Sequence, residues 1–390
     1  MISRRTTAAV GLTQLVNWGL SYYALGVFGP VIAADPEFSS RLTYGGFSLA
    51  LVVMGLSSGW IGHQIDRHGG RAVMSLGSIL LALGFLAVAL AHGAVPYLAG
   101  WLVLGLGMRM CLYEAAFAAL VQAGGAAARP ALSQITLLGG LASTVFWPVG
   151  HLLQEAIGWR GGMLAYAGIA LTMLPFYRLL PAGAGGAVAK PLRRADRFRF
   201  APGQRAAALL FAALVATTAF LSSGLSAHLI GLLSGRGLSI EAAVSLAALP
   251  GIAQSCARLA EMVLGRRLDP RHLAVFAAAV LSLGMLVGIG VAGMGLAALI
   301  FVLAYGAGNG LLTITRGSLP LVLFPVGDYA VIAGRLIAPS FYGAAAAPVI
   351  YATLVDRHGP AAAIGLSALL ALTAVACAWG LTRCPATMPD

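Results

Sequence analysis

The chain has 390 residues, 59% of them hydrophobic and only 9% charged, with a mean hydropathy of +0.90 and a formal charge of +12. A soluble domain carries roughly 25% charged residues, so this chain cannot hide its apolar surface in a core of its own, and lipid must solvate much of it. The positive charge does not point to nucleic acid, because the basic residues sit in short loops between apolar runs, with Lys190 the single lysine among 24 of them.

A spanning helix needs about 20 mostly apolar residues. Twelve runs qualify in chain order, near 8–33, 43–62, 72–92, 96–122, 131–154, 160–180, 206–233, 242–264, 272–293, 296–324, 329–354 and 360–381. The start, MISRRTTAAVGL, has the look of a signal peptide, but the run that follows lacks a small-residue cleavage site and is too long, so it reads as a retained first span. With the N-terminus inside, 16 of the 24 basic residues fall on the cytoplasmic side and four (Arg41, Arg160, Arg236, Arg357) outside. That bias predicts both termini in the cytoplasm.

The longest polar break, 182–205, is rich in Gly, Ala and Pro and then basic. It reads as a cytoplasmic linker between an N-terminal six-helix bundle (1–181) and a C-terminal one (206–390), either anchored to anionic headgroups or simply a positive-inside loop. The halves echo each other at offsets of 201 to 203. Gly62 and Asp66 match Gly265 and Asp269, Gly105 and Gly107 match Gly306 and Gly308, and Glu155 and Gly158 match Asp356 and Gly359. An internal repeat of six spans is a transporter signature, with the substrate site where the repeats meet.

Four arginines (Arg109, Arg258, Arg316, Arg335) and two glutamates (Glu114, Glu261) lie within spans. Each costs about 2.5–3.5 kcal/mol on insertion scales and is functional by default. Their positive excess suits an anionic substrate, which a guanidinium binds bidentately. Arg109 lies about 12 residues from the outer end of its span, roughly 18 Å, and so near the midplane, and is the first candidate for substrate contact. Glu114, at i+5, is expected on a different face of a straight helix. It is a candidate for proton coupling, or for a gate with Arg316. Arg258 and Glu261, at i and i+3, form either a site or a structural pair. In the first span Gln14, Asn17, Trp18, Ser21 and Tyr22 share one stripe, and a polar stripe in lipid must face a cavity or another helix. Thr218, Ser222 and Ser226 form a second stripe in the seventh. Gly55 and Gly59 of GLSSG read as helix-packing points. No metal, cofactor, phosphate-loop or nucleophile–base motif is present, so an enzyme is disfavoured and no cofactor is expected.

GHQIDRHGGRAV (62–73) resembles the loop between helices two and three of the major facilitator superfamily, with Gly62, Asp66, Arg67, Gly69 and Arg71 filling its pattern. The resemblance, with twelve spans and a 6+6 repeat, covers the whole chain. It implies an all-α membrane protein with twelve transmembrane helices in two pseudo-symmetric six-helix bundles, the major facilitator fold. It also implies a gating role for Asp66, Arg67 and Arg71, with Arg335 near them, and a pathway lined by the first and seventh helices. Within the superfamily the chain is most similar to the monocarboxylate-transporter-like branch. Arg258 stands where that branch carries an intramembrane arginine, and Gln254 where it often has an aspartate. The expectation is a monomeric proton-coupled transporter of a small organic anion, a monocarboxylate, in a bacterial-type inner membrane, with protons and membrane lipid as its other partners. The alternatives are a proton-antiport exporter of a metabolite, drug or metalloid compound, and a non-transporting membrane sensor.

Overall fold

A computed structural model describes residues 2–124, 128–180, 202–264, 268–291, 295–324 and 329–384. Among these the fold is helical. In chain order it contains α1 (Arg4–Asn17), a π-helical turn (Trp18–Tyr22), α2 (Ala24–Ala34), α3 (Ser40–Ala89), α4 (Ala94–Cys111), α5 (Tyr113–Gly124), α6 (Arg129–Gly140), α7 (Ala142–Leu171) and the short α8 (Leu174–Tyr177). The second half follows with α9 (Pro202–Ser234), α10 (Ile240–Ala247), α11 (Leu249–Leu264), α12 (Pro270–Ile289), α13 (Gly295–Leu323), α14 (Tyr329–His358) and α15 (Pro360–Thr382). The helices up to Tyr177 belong to one compact unit and those from Pro202 to a second, apart from Ser226–His228, which group with the first. Most of the linker expected at 182–205 lies outside the described residues.

Among the described residues, ten helical stretches are long and apolar enough to cross a membrane. One of them, Gln134–Tyr177, has 44 residues, about 66 Å of helix against a hydrocarbon core of about 30 Å. Gly158 bends it, with φ 69° and ψ 174°. The twelve-span reading counts this stretch twice and adds the 30-residue helix α14.

One of the echoes seen in the sequence is an echo in backbone conformation, and the structure adds another in helix capping. Gly158 and its counterpart Gly359 (φ 78°, ψ 173°) both open the last helix of their half with a backbone that L side chains rarely adopt. Ser39 and Ser239 cap the second helix of each half by accepting from the amides of Leu42 and Ala242.

The close packing repeats as well. A methyl group on Gly105 would lie 2.6 Å from the Ala50 carbonyl oxygen, and one on Gly306 would press closer still on that of Pro250. Gly107 and Gly308 meet Leu81 and Leu281 in the same way, each at 2.8 Å. Helices without a hydrophobic drive between them associate through such small-residue contacts. Gly59 corrects the sequence reading, because an added Cβ there meets nothing within 4 Å. The GLSSG segment packs no helix through Gly59, which is exposed.

This contrast predicts opposite signs for one substitution. Gly105→Ala should destabilise the protein by about 1–3 kcal/mol through overpacking, whereas Gly59→Ala should be neutral or stabilise by up to about 1 kcal/mol through helix propensity. Unfolding midpoints in detergent would check it; equal shifts would rule out the tight contact at Gly105.

Candidate functional site

The fourth span does not run straight. α4 ends at Cys111, Leu112 is extended (φ −79°, ψ −174°), and α5 begins at Tyr113. No proline marks the break. It is held by tertiary hydrogen bonding instead, since Nε2 of Gln14 donates to the Cys111 carbonyl at 2.8 Å. Lipid offers no partner for a freed carbonyl, so a side chain from the first span supplies one.

The break overturns the expectation that Arg109 and Glu114 lie on different faces. Arg109 Nη1 stands 3.5 Å from Glu114 Oε2. A straight helix would separate i and i+5, but one extended residue between them swings α5 so that the two side chains meet across the gap. Each charge also suits its helix end. Arg109 lies in the last turn of α4 and Glu114 in the first turn of α5, so each faces the opposite partial charge of its helix dipole. Arg109 is fixed from a third side, where its Nε donates to Ser58 Oγ at 2.8 Å. The Arg109 side chain is 15% exposed and that of Glu114 42%. The pair is therefore accessible, not sealed in a core.

The stripe on the first span divides into two groups. Gln14 and Asn17 are wholly buried, and Asn17 Nδ2 donates to the Tyr177 hydroxyl at 2.8 Å. Both are engaged inside the first unit. Trp18 and Tyr22 are half-buried and build an aromatic surface beside the break. Trp18 lies 4.9 Å from both the Tyr22 and Tyr113 rings, and Tyr22 meets Phe47 edge-on at 5.3 Å. Sequence periodicity does not single out Tyr113; only its place directly after the break marks it.

In the second unit, Arg258 is buried and its Nε donates to the Gly310 carbonyl at 3.4 Å. Gln254 Oε1 accepts from Asn309 Nδ2 at 3.0 Å. Ser222 on α9, Glu261 on α11 and Arg316 on α13 are half-buried. Arg258 and Gly310 stand 200 and 201 positions beyond Ser58 and Arg109. The same junction thus recurs in each half, with the arginine on the fourth span in the first and on the second span in the second.

The loop region expected to gate is only partly described. Gly69, at φ 81° and ψ 153°, makes the turn that splits α3, and Arg67 is exposed. The side chains of Asp66 and Arg335 lie outside the described residues. Arg71 turns inward to its own unit and donates from Nε to the Leu180 carbonyl at 2.7 Å, with Nη2 on the same oxygen. Its counterpart Arg271 donates to the Cys384 carbonyl at 3.1 Å and pairs with Asp269 at 2.6 Å. Asp269, the counterpart of Asp66, caps α12 by accepting from the Arg271 amide at 2.8 Å. The Arg271 guanidinium holds the Asp269 carboxyl below the usual carboxylate range.

A family model described as the Major Facilitator Superfamily matches residues 11–338. Over 173 residues the chain is 27% identical to the multidrug resistance protein MdtL of Klebsiella pneumoniae (strain 342), covering 44% of this chain and 43% of that protein. Over 290 residues it is 29% identical to monocarboxylate transporter 11 of Mus musculus, covering 71% of this chain and 62% of that protein. Less than two thirds of either relative is therefore spanned. Among solved structures, a point mutant of the nucleoside transporter NupG superposes with a TM-score of 0.76 at 12% identity, over 97% of this chain and 99% of that one. A structure from work on substrate recognition in proton-dependent oligopeptide transporters gives 0.75 at 14% identity, over 97% and 98%. At these identities the likeness shows the fold.

The depressed Asp269 carboxyl makes a pH prediction. A carboxylate whose pKa falls on folding adds stability that is present above its unfolded pKa and lost as pH drops through the folded one. The stability difference between the protein and Asp269→Asn should be constant from about pH 5 to 8 and shrink below about pH 4. Thermal unfolding across that range would measure it.

Proposed function

Because the chain belongs to the Major Facilitator Superfamily, and is therefore an integral membrane transporter and not an enzyme, we propose that it carries a small organic anion, a monocarboxylate, by proton-coupled alternating access. The observation that carries this reading is the Arg109–Glu114 pair at the break in the fourth span. A guanidinium there can exchange part of its bond to Glu114 for a carboxylate of the substrate, forming a charge-assisted pair. Broken helices whose ends point at ionic groups form the substrate sites of many secondary transporters. Trp18, Tyr22 and Tyr113 offer an apolar surface for the rest of a small anion. Released from Arg109, Glu114 becomes the carboxylate that takes a proton, which links charge binding to proton movement. The similarity to a monocarboxylate transporter supports the substrate class.

On this reading the chain is a monomer of twelve spans in two six-helix bundles, 1–181 and 206–390, joined by the 182–205 linker. Both termini face the cytoplasm, in a bacterial-type inner membrane. The two bundles rock to expose the site alternately. Asp66, Arg67, Arg335, Arg316 and Glu261 belong to the gate or to proton coupling, and Arg258 and Ser222 to the second half's share of the substrate site. A second reading, proton-antiport export, is favoured by the 27% identity to a multidrug resistance protein.

Liposomes loaded with a pH dye separate the two. Small carboxylates added to the wild type should drive proton uptake. Arg109→Ala should cut the rate about tenfold or more, in line with the loss of a charge-assisted hydrogen bond. Glu114→Gln should keep carboxylate exchange but lose accumulation driven by a pH gradient. Silence with carboxylates, together with proton movement on adding lipophilic cations, would sink the anion reading and leave export.

A further inference from the structure

We infer that Ser58 is a positioning residue for Arg109, an inference that rests on the reading of Arg109 as the anion contact. Ser58 lies on α3, in the segment GLSSG, and is half-buried. Its hydroxyl is used in both directions. Oγ donates to the Met54 carbonyl at 2.8 Å and accepts from Arg109 Nε at 2.8 Å. The bond back to Met54, one turn earlier, fixes the rotamer and turns a lone pair toward Arg109. With Nε held by Ser58 and Nη1 beside Glu114, the plane of the guanidinium is set by two contacts on different elements. A planar fork binds a carboxylate bidentately only in a narrow range of orientations. Ser58 therefore acts on the anion through Arg109 without touching it.

The second half supports this independently. Arg258 stands 200 positions after Ser58, and the carbonyl of Gly310, 201 positions after Arg109, accepts from its Nε. In both halves the junction of these two helices holds a guanidinium by its Nε, with an oxygen from the opposite helix. In the first half that oxygen is Ser58 Oγ; in the second it is a backbone carbonyl, exposed by a glycine.

The test compares Ser58→Ala, Ser58→Thr and Arg109→Ala, each checked for a single symmetrical size-exclusion peak. Two readouts are needed. Carboxylate uptake in liposomes should show KM raised about five- to tenfold in Ser58→Ala with the maximal rate changed less than about twofold. Ser58→Thr keeps the hydroxyl and its bond to Met54 and should restore KM. Labelling of Arg109 by phenylglyoxal, followed by mass spectrometry, should run several-fold faster in Ser58→Ala than in the wild type or Ser58→Thr. The labelling needs no substrate. If the wild type moves no carboxylate yet labelling responds, the substrate reading has failed and the positioning role stands. If labelling is unchanged in Ser58→Ala, or Ser58→Thr behaves like Ser58→Ala, the positioning role is overturned.

Discussion

A helix that ends or breaks leaves carbonyl oxygens with no partner inside the helix, which within lipid only the protein can satisfy, and much of this structure answers that one demand. Arg160 donates to the carbonyls of Ala89 and Ala91, closing the end of α3, while Arg236 does the same for Ile289 and Val291 at the end of α12. Arg71 and Arg271 bind carbonyls just past α8 and α15, at Leu180 and Cys384. Gln14 serves the break at Cys111. A guanidinium has five donors in a rigid fork and can bridge two carbonyls, where an ammonium is a point charge. The near absence of lysine thus has a structural side. Arginines that look like topology markers in the sequence are also caps, favoured as cations at the negative ends of helix dipoles.

The same accounting applies at the proposed site. Breaking the fourth span after Cys111 creates a helix C-terminus and a helix N-terminus a residue apart, and Arg109 and Glu114 occupy them with the signs the dipoles favour. The pair is thus doubly supported, by each other and by the backbone. The two charges can part without either losing all its stabilisation, which the proposed exchange of Glu114 for a substrate carboxylate would require. In the second unit the equivalent fourth-span position is Gly310, and the arginine comes from the neighbouring helix. The repeat preserves where the charge sits and not which helix carries it.

The spans were legible because lipid imposes length and hydropathy on every crossing helix, and most expected boundaries fall within a few residues of the observed ends. The repeat was legible wherever backbone demands repeat. Gly158 and Gly359 share a left-handed φ, and Gly105 and Gly306 share a neighbour too close for a side chain. The break at Leu112 was not legible. Periodicity assumes an ideal helix, and the residues MRMCLYE contain neither glycine nor proline. A glutamine some 97 positions earlier serves the carbonyl that the break frees, and no local pattern announces such a partner. The separation expected of Arg109 and Glu114 fails because Leu112 is extended. Gln14 and Asn17 fall on the right stripe, but a stripe does not say whether it meets a pathway or another helix. Gly59 fails for a related reason: spacing of small residues marks a possible approach, and no helix approaches there.

The π-helical turn at Trp18–Tyr22, where the Tyr23 amide donates to the Trp18 carbonyl at 3.3 Å, inserts one residue beyond an α-helical register. Relaxing it would rotate α1 by about 100° and shift it by about 1.5 Å relative to α2. Gln14 would then leave Cys111, and Asn17 would leave Tyr177, in a single movement. The extra residue therefore sets the phase of the first span against the fourth. Deleting one residue in this turn would uncap a helix that lies almost a hundred positions downstream.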